Sequence, residues 1–162
     1  MSLTELAERL GTALTSRCLT ISSAESCTGG LLANAITDVP GSSDYYLGGV
    51  VAYSNGAKQS LLRVPVSYLR AFGAVSAPIA LAMARGAVQV FGTDIALSVT
   101  GVAGPKGGTI EKPVGLVYIA IVAPGYASCL RYLWQYDRLG NKEASAAAAL
   151  ALALAWVASL HT

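Results

Sequence analysis

The alternation of apolar and polar positions divides the chain into helical and extended stretches. Leu3, Leu6, Ala7, Leu10 and Leu14 recur at helical spacing with charges on the other side, which predicts an opening helix. "CLTISSA" from Cys18 is rich in β-favouring residues and predicts a strand. "TGGLLANAITD" from Thr28 predicts a helix, ended by "VPGSSD", and "YYLGGVVAYS" from Tyr45 a second strand. Ser54 is placed to cap a short helix, "NGAKQSLL", that stops before Pro65. Another short helix, "VSYLRAF", runs to Gly73. Ser76 and Pro78 mark the start of a longer one whose body is "IALAMARGAVQVF".

"DIALSVTG" reads as a buried strand. After it comes a long glycine- and proline-rich loop, "GVAGPKGGTIEKPVG", of a length that in a compact domain is usually functional or disordered. "LVYIAIVA" and "ASCLRYLWQY" predict a hairpin about Pro124-Gly125, and an alanine-rich helix from Ala144 to Leu160 closes the chain. Helices and strands alternate over the first two-thirds. The expected fold is therefore a three-layer α/β/α sandwich with a mixed, largely parallel sheet, the late hairpin making it mixed. No repeat or linker divides the chain, so residues 1–162 are expected to form one domain.

Composition narrows the partners. The 162 residues are 54% hydrophobic with a net charge of +2, enough for a core without disulfides or metals. The basic residues are scattered, with no cluster to track a phosphate backbone, so no nucleic acid is expected. Cys18, Cys27 and Cys129 are odd in number and in no paired spacing, and the chain opens on no signal peptide. We expect a cytoplasmic protein. The uncharged segment Ala144–Leu160 is slightly short for a membrane span of about 20 residues and mostly alanine, so it is expected to pack on the sheet, and against a second subunit in a homo-oligomer.

The single histidine, His161, lies next to the C-terminal end, which removes Ser-His-Asp and Cys-His chemistry. With no Cys pair or His/Cys cluster, no metal site is expected. The glycine-rich stretches match neither the Walker pattern nor GxGxxG. What remains is "SSAESCTGG" (residues 22–30), where two nucleophiles, Ser26 and Cys27, follow Glu25 at a strand-to-helix passage, and "AYSNGAK" (residues 52–58), which carries Tyr53, Asn55 and Lys58. In an open parallel sheet both would face the crevice beyond the carboxyl ends of the strands. A desolvated lysine has a pKa low enough to take a proton from serine. Gly29 and Gly30 leave backbone N–H groups at the helix start open to an anion or oxyanion. The same residues also have plain structural uses. Ser26 and Thr28 are ordinary helix caps, Lys58 an ordinary surface lysine, Cys27 a small buried apolar group and Tyr53 a core tyrosine. The spacing leaves these alternatives open, at the level of a hydrolytic or phosphate-binding crevice.

The order of motifs is more specific. "AESCTGG", "GSSDYY", "AYSNGAK", "GAVSAP", "TGVAGPKGG" and "EKPVG", in this order, resemble the CinA C-terminal domain family, the nicotinamide mononucleotide deamidases, across Leu3 to Arg138. The chain looks like a stand-alone form of that domain. The resemblance implies hydrolysis of a linear carboxamide: nicotinamide mononucleotide and water give nicotinate mononucleotide and ammonia, in pyridine-nucleotide salvage. It implies no cofactor and no metal. The family's serine falls on Ser26, its lysine on Lys58 and its tyrosine on Tyr53. Its Asp-Arg pair falls on Asp137-Arg138, preceded here by Tyr136 where the family commonly has glycine, and "LGNK" follows in place of a stretch often richer in arginine.

On this reading Ser26 attacks, Lys58 is the base and Tyr53 relays the proton or orients the lysine. Thr28, Gly29 and Gly30 surround the oxyanion, and Asn55 and Arg138 contact substrate. The loop with Gly101, Gly104, Gly107, Gly108 and Thr109 cradles the 5′-phosphate. Cys27 as nucleophile, and a non-catalytic nucleotide-binding module linked to competence or DNA damage, are the alternatives.

Overall fold

The computed structural model describes residues 1–161. The chain runs α1 (Leu3–Ser16), β1 (Ile21–Glu25), α2 (Leu31–Thr37), a 3-10 turn at Ser42–Asp44, β2 (Tyr46–Val51), α3 (Asn55–Leu62), α4 (Val66–Phe72), α5 (Ala77–Phe91), β3 (Ile95–Gly101), β4 (Leu116–Ala123), β5 (Tyr126–Leu133) and α6 (Arg138–Ser159). The strands form one open sheet in the order β2-β1-β3-β4-β5. β1 pairs parallel with β2 and β3, while β4 is antiparallel to both its neighbours. Every strand but β4 thus points the same way, giving the expected mixed α/β sheet with helices on both faces.

Alternation along the strands sorts the core into two layers. On one face Ile95, Leu97 and Val99 of β3, with Val117, Ile119 and Ile121 of β4, pack against α1, α2 and α6. On the other, small residues (Ala24, Ala96, Ala120) let α5 lie close to the sheet. There Ser98 Oγ donates to the Ala80 carbonyl. A Cβ on Gly86 of α5 would collide with the Leu62 carbonyl, so this glycine permits the close approach of α5 to the end of α3.

The closing helix begins at Arg138 rather than at Ala144, because Asp137 caps it by accepting from the Gly140 N–H at 2.8 Å. Gly140 and Asn141, weak helix formers, hide that start from a propensity reading. The longer α6 is the one helix among the described residues with the length and apolarity to cross a membrane. Here Ala146, Ala149, Leu150, Ala153 and Val157 join the core on the α1 side of the sheet.

Candidate active site

Two neighbouring parallel strands feed loops in opposite directions. From β1 the chain goes to β2 on one side, and from β3 to β4 on the other. This is the switch point at which a crevice opens beyond the strand ends. A cleft of about 310 Å³ lies there, lined by Ser26 and Cys27 after β1, Tyr53, Asn55 and Lys58 after β2, and Thr100 to Gly104 with Lys106 and Gly107 at and after β3. Arg138, the first residue of α6, completes it. Its charged lining residues are Lys58, Lys106 and Arg138, and no carboxylate is among them.

Ser26 follows β1 directly, and its N–H donates to the Val99 carbonyl at 2.9 Å. Glu25 and Ser26 point to opposite sides, as successive residues of an extended chain do. Glu25 meets α2, with its carboxyl oxygens accepting from the N–H groups of Leu32 (2.8 Å) and Ala33 (3.0 Å). Ser26 meets α3, where Lys58 Nζ lies 3.0 Å from Ser26 Oγ.

Lys58 is fixed by its own element. Ser54 caps α3, accepting from the Ala57 N–H, and the first turn of that helix turns Lys58 inward. The side chain is 1% exposed. Nζ also donates to the carbonyls of Ala52 (2.9 Å) and Tyr53 (3.3 Å). These two acceptors use two N–H bonds of a neutral amine, which leaves its lone pair for the Ser26 hydroxyl. An ammonium would use all three on the same partners, so a proton can pass between Oγ and Nζ without rearrangement of the cradle. Burial holds the Lys58 pKa below the ordinary lysine range. The adjacent Cys27 is the opposite case. Burial pushes its thiol up to about 12, outweighing the lowering by its own backbone N–H.

Tyr53 is 62% exposed at the mouth, not a core tyrosine. Its hydroxyl accepts from Arg138 Nη2 at 3.2 Å, and Arg138 Nη1 donates to the Gly104 carbonyl at 2.6 Å. Arg138 thereby ties the β2 end to the β3–β4 loop across the cleft.

Several residues predicted for the site lie elsewhere. Thr28, Gly29, Gly30, Gly108 and Thr109 do not line the cleft. The Gly29 N–H donates to the Ser26 carbonyl, and the Leu32 and Ala33 amides at the start of α2 are taken by Glu25, so these groups are not open to an anion. Thr28 is fully buried with its hydroxyl unpartnered. Gly30, at a left-handed φ of 102°, serves the start of α2. A Cβ on Gly108 would lie 2.7 Å from the Val114 N, so this glycine serves loop packing. Thr109 closes an outer turn, its Oγ1 accepting from the Lys112 N–H at 3.0 Å. Gly101, Gly104 and Gly107 do line the cleft.

Asn141 was missed. It is 1% exposed, and its amide donates to the Ala103 carbonyl (3.0 Å) while its oxygen accepts from the Tyr136 N–H (3.1 Å). It anchors the β3–β4 loop to α6. The Asp137 cap was the signal that would have placed it one turn into a helix.

Comparison with known proteins identifies the family. A family model described as the CinA C-terminal domain matches residues 3–157. A CinA-like protein of Geotalea uraniireducens is 57% identical over 119 residues, 74% of this chain and 28% of that protein. One of Citrifermentans bemidjiense is 53% identical over 134 residues, 83% and 32% respectively. The chain therefore spans about a third of the length of the curated relatives it matches. Among solved structures, the competence/damage inducible protein CihA from Agrobacterium tumefaciens is 42% identical with a TM-score of 0.92 over 94% of both chains. A competence-damaged protein (CinA) superfamily protein from Klebsiella pneumoniae is 32% identical with a TM-score of 0.95, covering 99% of this chain and all of that one. The chain belongs to the CinA C-terminal domain family.

Proposed function

We propose that this protein is an amidase acting on a nucleotide carboxamide, nicotinamide mononucleotide, by a serine–lysine mechanism. The observation that carries the reading is the 3.0 Å approach of a buried Lys58 amine to Ser26 Oγ at the floor of an open cleft. Ser26 Oγ attacks the carboxamide carbon as its proton passes to Lys58 Nζ. The tetrahedral intermediate collapses when Lys58 returns that proton to the departing nitrogen, and ammonia leaves an acyl-enzyme. Water then attacks the ester carbon, giving its proton to Lys58. Collapse of the second intermediate restores the serine hydroxyl and frees the acid. The oxyanion is met by the N–H of Cys27, which lies against its own thiol and has no backbone carbonyl partner among the described residues. Donors at that point, one residue past a nucleophile on a strand-to-helix turn, are well placed for the developing charge.

The lining charges of the cleft suit an anionic substrate. Lys106 and Arg138 line it together with Gly101, Gly104 and Gly107, and a 5′-phosphate is an anion that such a set would hold. The reading fits a reducing compartment, where Cys18, Cys27 and Cys129 stay as the free thiols they are here.

The test is ammonia release from nicotinamide mononucleotide, its riboside and free nicotinamide. Binding energy from the phosphate would place the amide against Ser26, so loss of the phosphate is expected to lower kcat as well as raise KM. Equal kcat/KM on mononucleotide and riboside would remove the phosphate from the reading. No ammonia from any of the three would favour a binding module over an enzyme.

A metal requirement is not expected. Among the described residues no group of three or more His, Cys, Asp or Glu side chains is placed to hold an ion. Activity is expected to survive exhaustive treatment with a chelator. Loss on chelation, restored by a divalent ion, would contradict the mechanism.

A further inference from the structure

We propose that Glu25 is a positioning residue for Ser26: one side chain clamps the start of α2 to the end of β1 and so holds the nucleophile's turn in register with Lys58. The inference rests on Ser26 being the nucleophile.

An acid beside a nucleophile invites a role as base, and the geometry assigns it another. Glu25 is 1% exposed. Both its oxygens are engaged with the Leu32 and Ala33 amides, on the face of the sheet opposite to Lys58. These bonds replace a missing cap. The residue before α2 is Gly30, which has no side chain to accept from the first turn. Glu25 supplies the acceptor from seven residues upstream.

The backbone of the same residue is also fixed. The Glu25 carbonyl accepts from the Ala52 N–H at 2.8 Å, and the next N–H, that of Ser26, donates to Val99. Glu25 is thus pinned through its main chain to the ends of β2 and β3 and through its side chain to α2. Between those anchors run Ser26–Gly30, where the backbone bonds closed within the turn run from Gly29 to Ser26 and from Leu31 to Thr28, the Gly30 carbonyl accepts from the Asn34 N–H of α2, and two successive glycines, Gly29 and Gly30, are left-handed. Such a turn has many alternatives if one end is released. Lys58 belongs to a different element, so the Oγ–Nζ approach depends on where this turn is held.

Glu25→Gln keeps the shape but offers one acceptor oxygen and turns an NH2 group toward the second amide. Its kcat for ammonia release is expected to fall roughly ten- to a hundredfold, the scale of a misplaced reacting group, with little change in KM. The midpoint of the pH–rate profile is expected to stay in place, because burial and Cys27, not Glu25, act on the Lys58 pKa. Amide hydrogen exchange at Leu32 and Ala33 is expected to speed up while the sheet stays protected. A fluorophosphonate that labels the serine reads the nucleophile without the substrate, and its rate is expected to fall with kcat.

Glu25→Asp keeps the charge and loses the reach, so it is expected to be impaired as well. It also serves as the test variant if Glu25→Gln does not fold. Wild-type labelling in either variant, or a shifted pH midpoint in Glu25→Gln, would overturn the proposal. Wild-type protein that is labelled at Ser26 but releases no ammonia from the mononucleotide would refute the substrate reading and leave this one intact.

Discussion

Ser26→Ala is expected to abolish ammonia release, a loss of at least about ten-thousandfold in kcat, as for removal of the nucleophile in other serine hydrolases. The substitution removes one buried hydroxyl whose only side-chain partner among the described residues is Lys58, so the fold and substrate binding are expected to persist. Binding of the mononucleotide to the inactive variant, followed by calorimetry, checks the second point. Cys27→Ala is the control. The thiol is held protonated near 12 by burial and packs in the core, so it has little thiolate to offer at neutral pH. That variant is expected to keep most of its activity. A Cys27→Ala enzyme that is dead beside a Ser26→Ala enzyme that works would reverse the assignment.

Lys58→Arg is expected to cost at least about a hundredfold in kcat, the usual scale for loss of a general base. Arginine keeps the charge but stays protonated and is too bulky for a cradle that leaves lysine 1% exposed. In the wild-type enzyme the base is the neutral amine, so kcat/KM is expected to rise with pH and level off once pH passes the depressed Lys58 pKa. The ionisable neighbour facing Nζ is Cys27, which would raise that pKa only when ionised. A flat profile, or an arginine variant of near-normal rate, would reduce Lys58 to a substrate contact.

The same depression has a stability counterpart. The native state disfavours the ammonium, while the unfolded chain titrates near the ordinary lysine value of about 10.4. As pH falls from that value to the depressed one, the unfolded chain binds more proton and the native state loses stability. Lys58→Met lacks this loss, so its Tm relative to wild type is expected to increase as pH is lowered through the window.

Much of the architecture was legible because it follows from local patterns. The 3.6-residue spacing of Leu6, Leu10 and Leu14, the Ser54 cap before "NGAKQSLL" and the Pro78 start of α5 each act within a few residues, and the elements appear where those signals place them. The pattern is less legible where a group a few residues away takes up one that a motif leaves open. Gly29 and Gly30 look like an open anion site because glycines before a helix usually expose amides, but the Gly29 N–H is bonded to Ser26 and Glu25 occupies the Leu32 and Ala33 amides. Gly108 and Thr109 look like phosphate ligands by their motif, but Val114 and Lys112 use them for the loop's own closure.

The sequence by itself determined the layered α/β class, the absence of histidine chemistry and the short set of nucleophiles and bases from which any mechanism must be drawn. It left Lys58 open to a place on a solvated helix or in a buried cradle. Tertiary structure decided between them. The pairing of β1 with both β2 and β3 brings Ser26 and the first turn of α3 to one switch point, and there the lysine is desolvated among Ala52, Tyr53 and Ser26. Desolvation depends on what surrounds a side chain in space, and those neighbours come from residues far apart along the chain. A one-dimensional pattern does not encode that environment, so the lowered pKa that would make Lys58 a base became visible only in the fold.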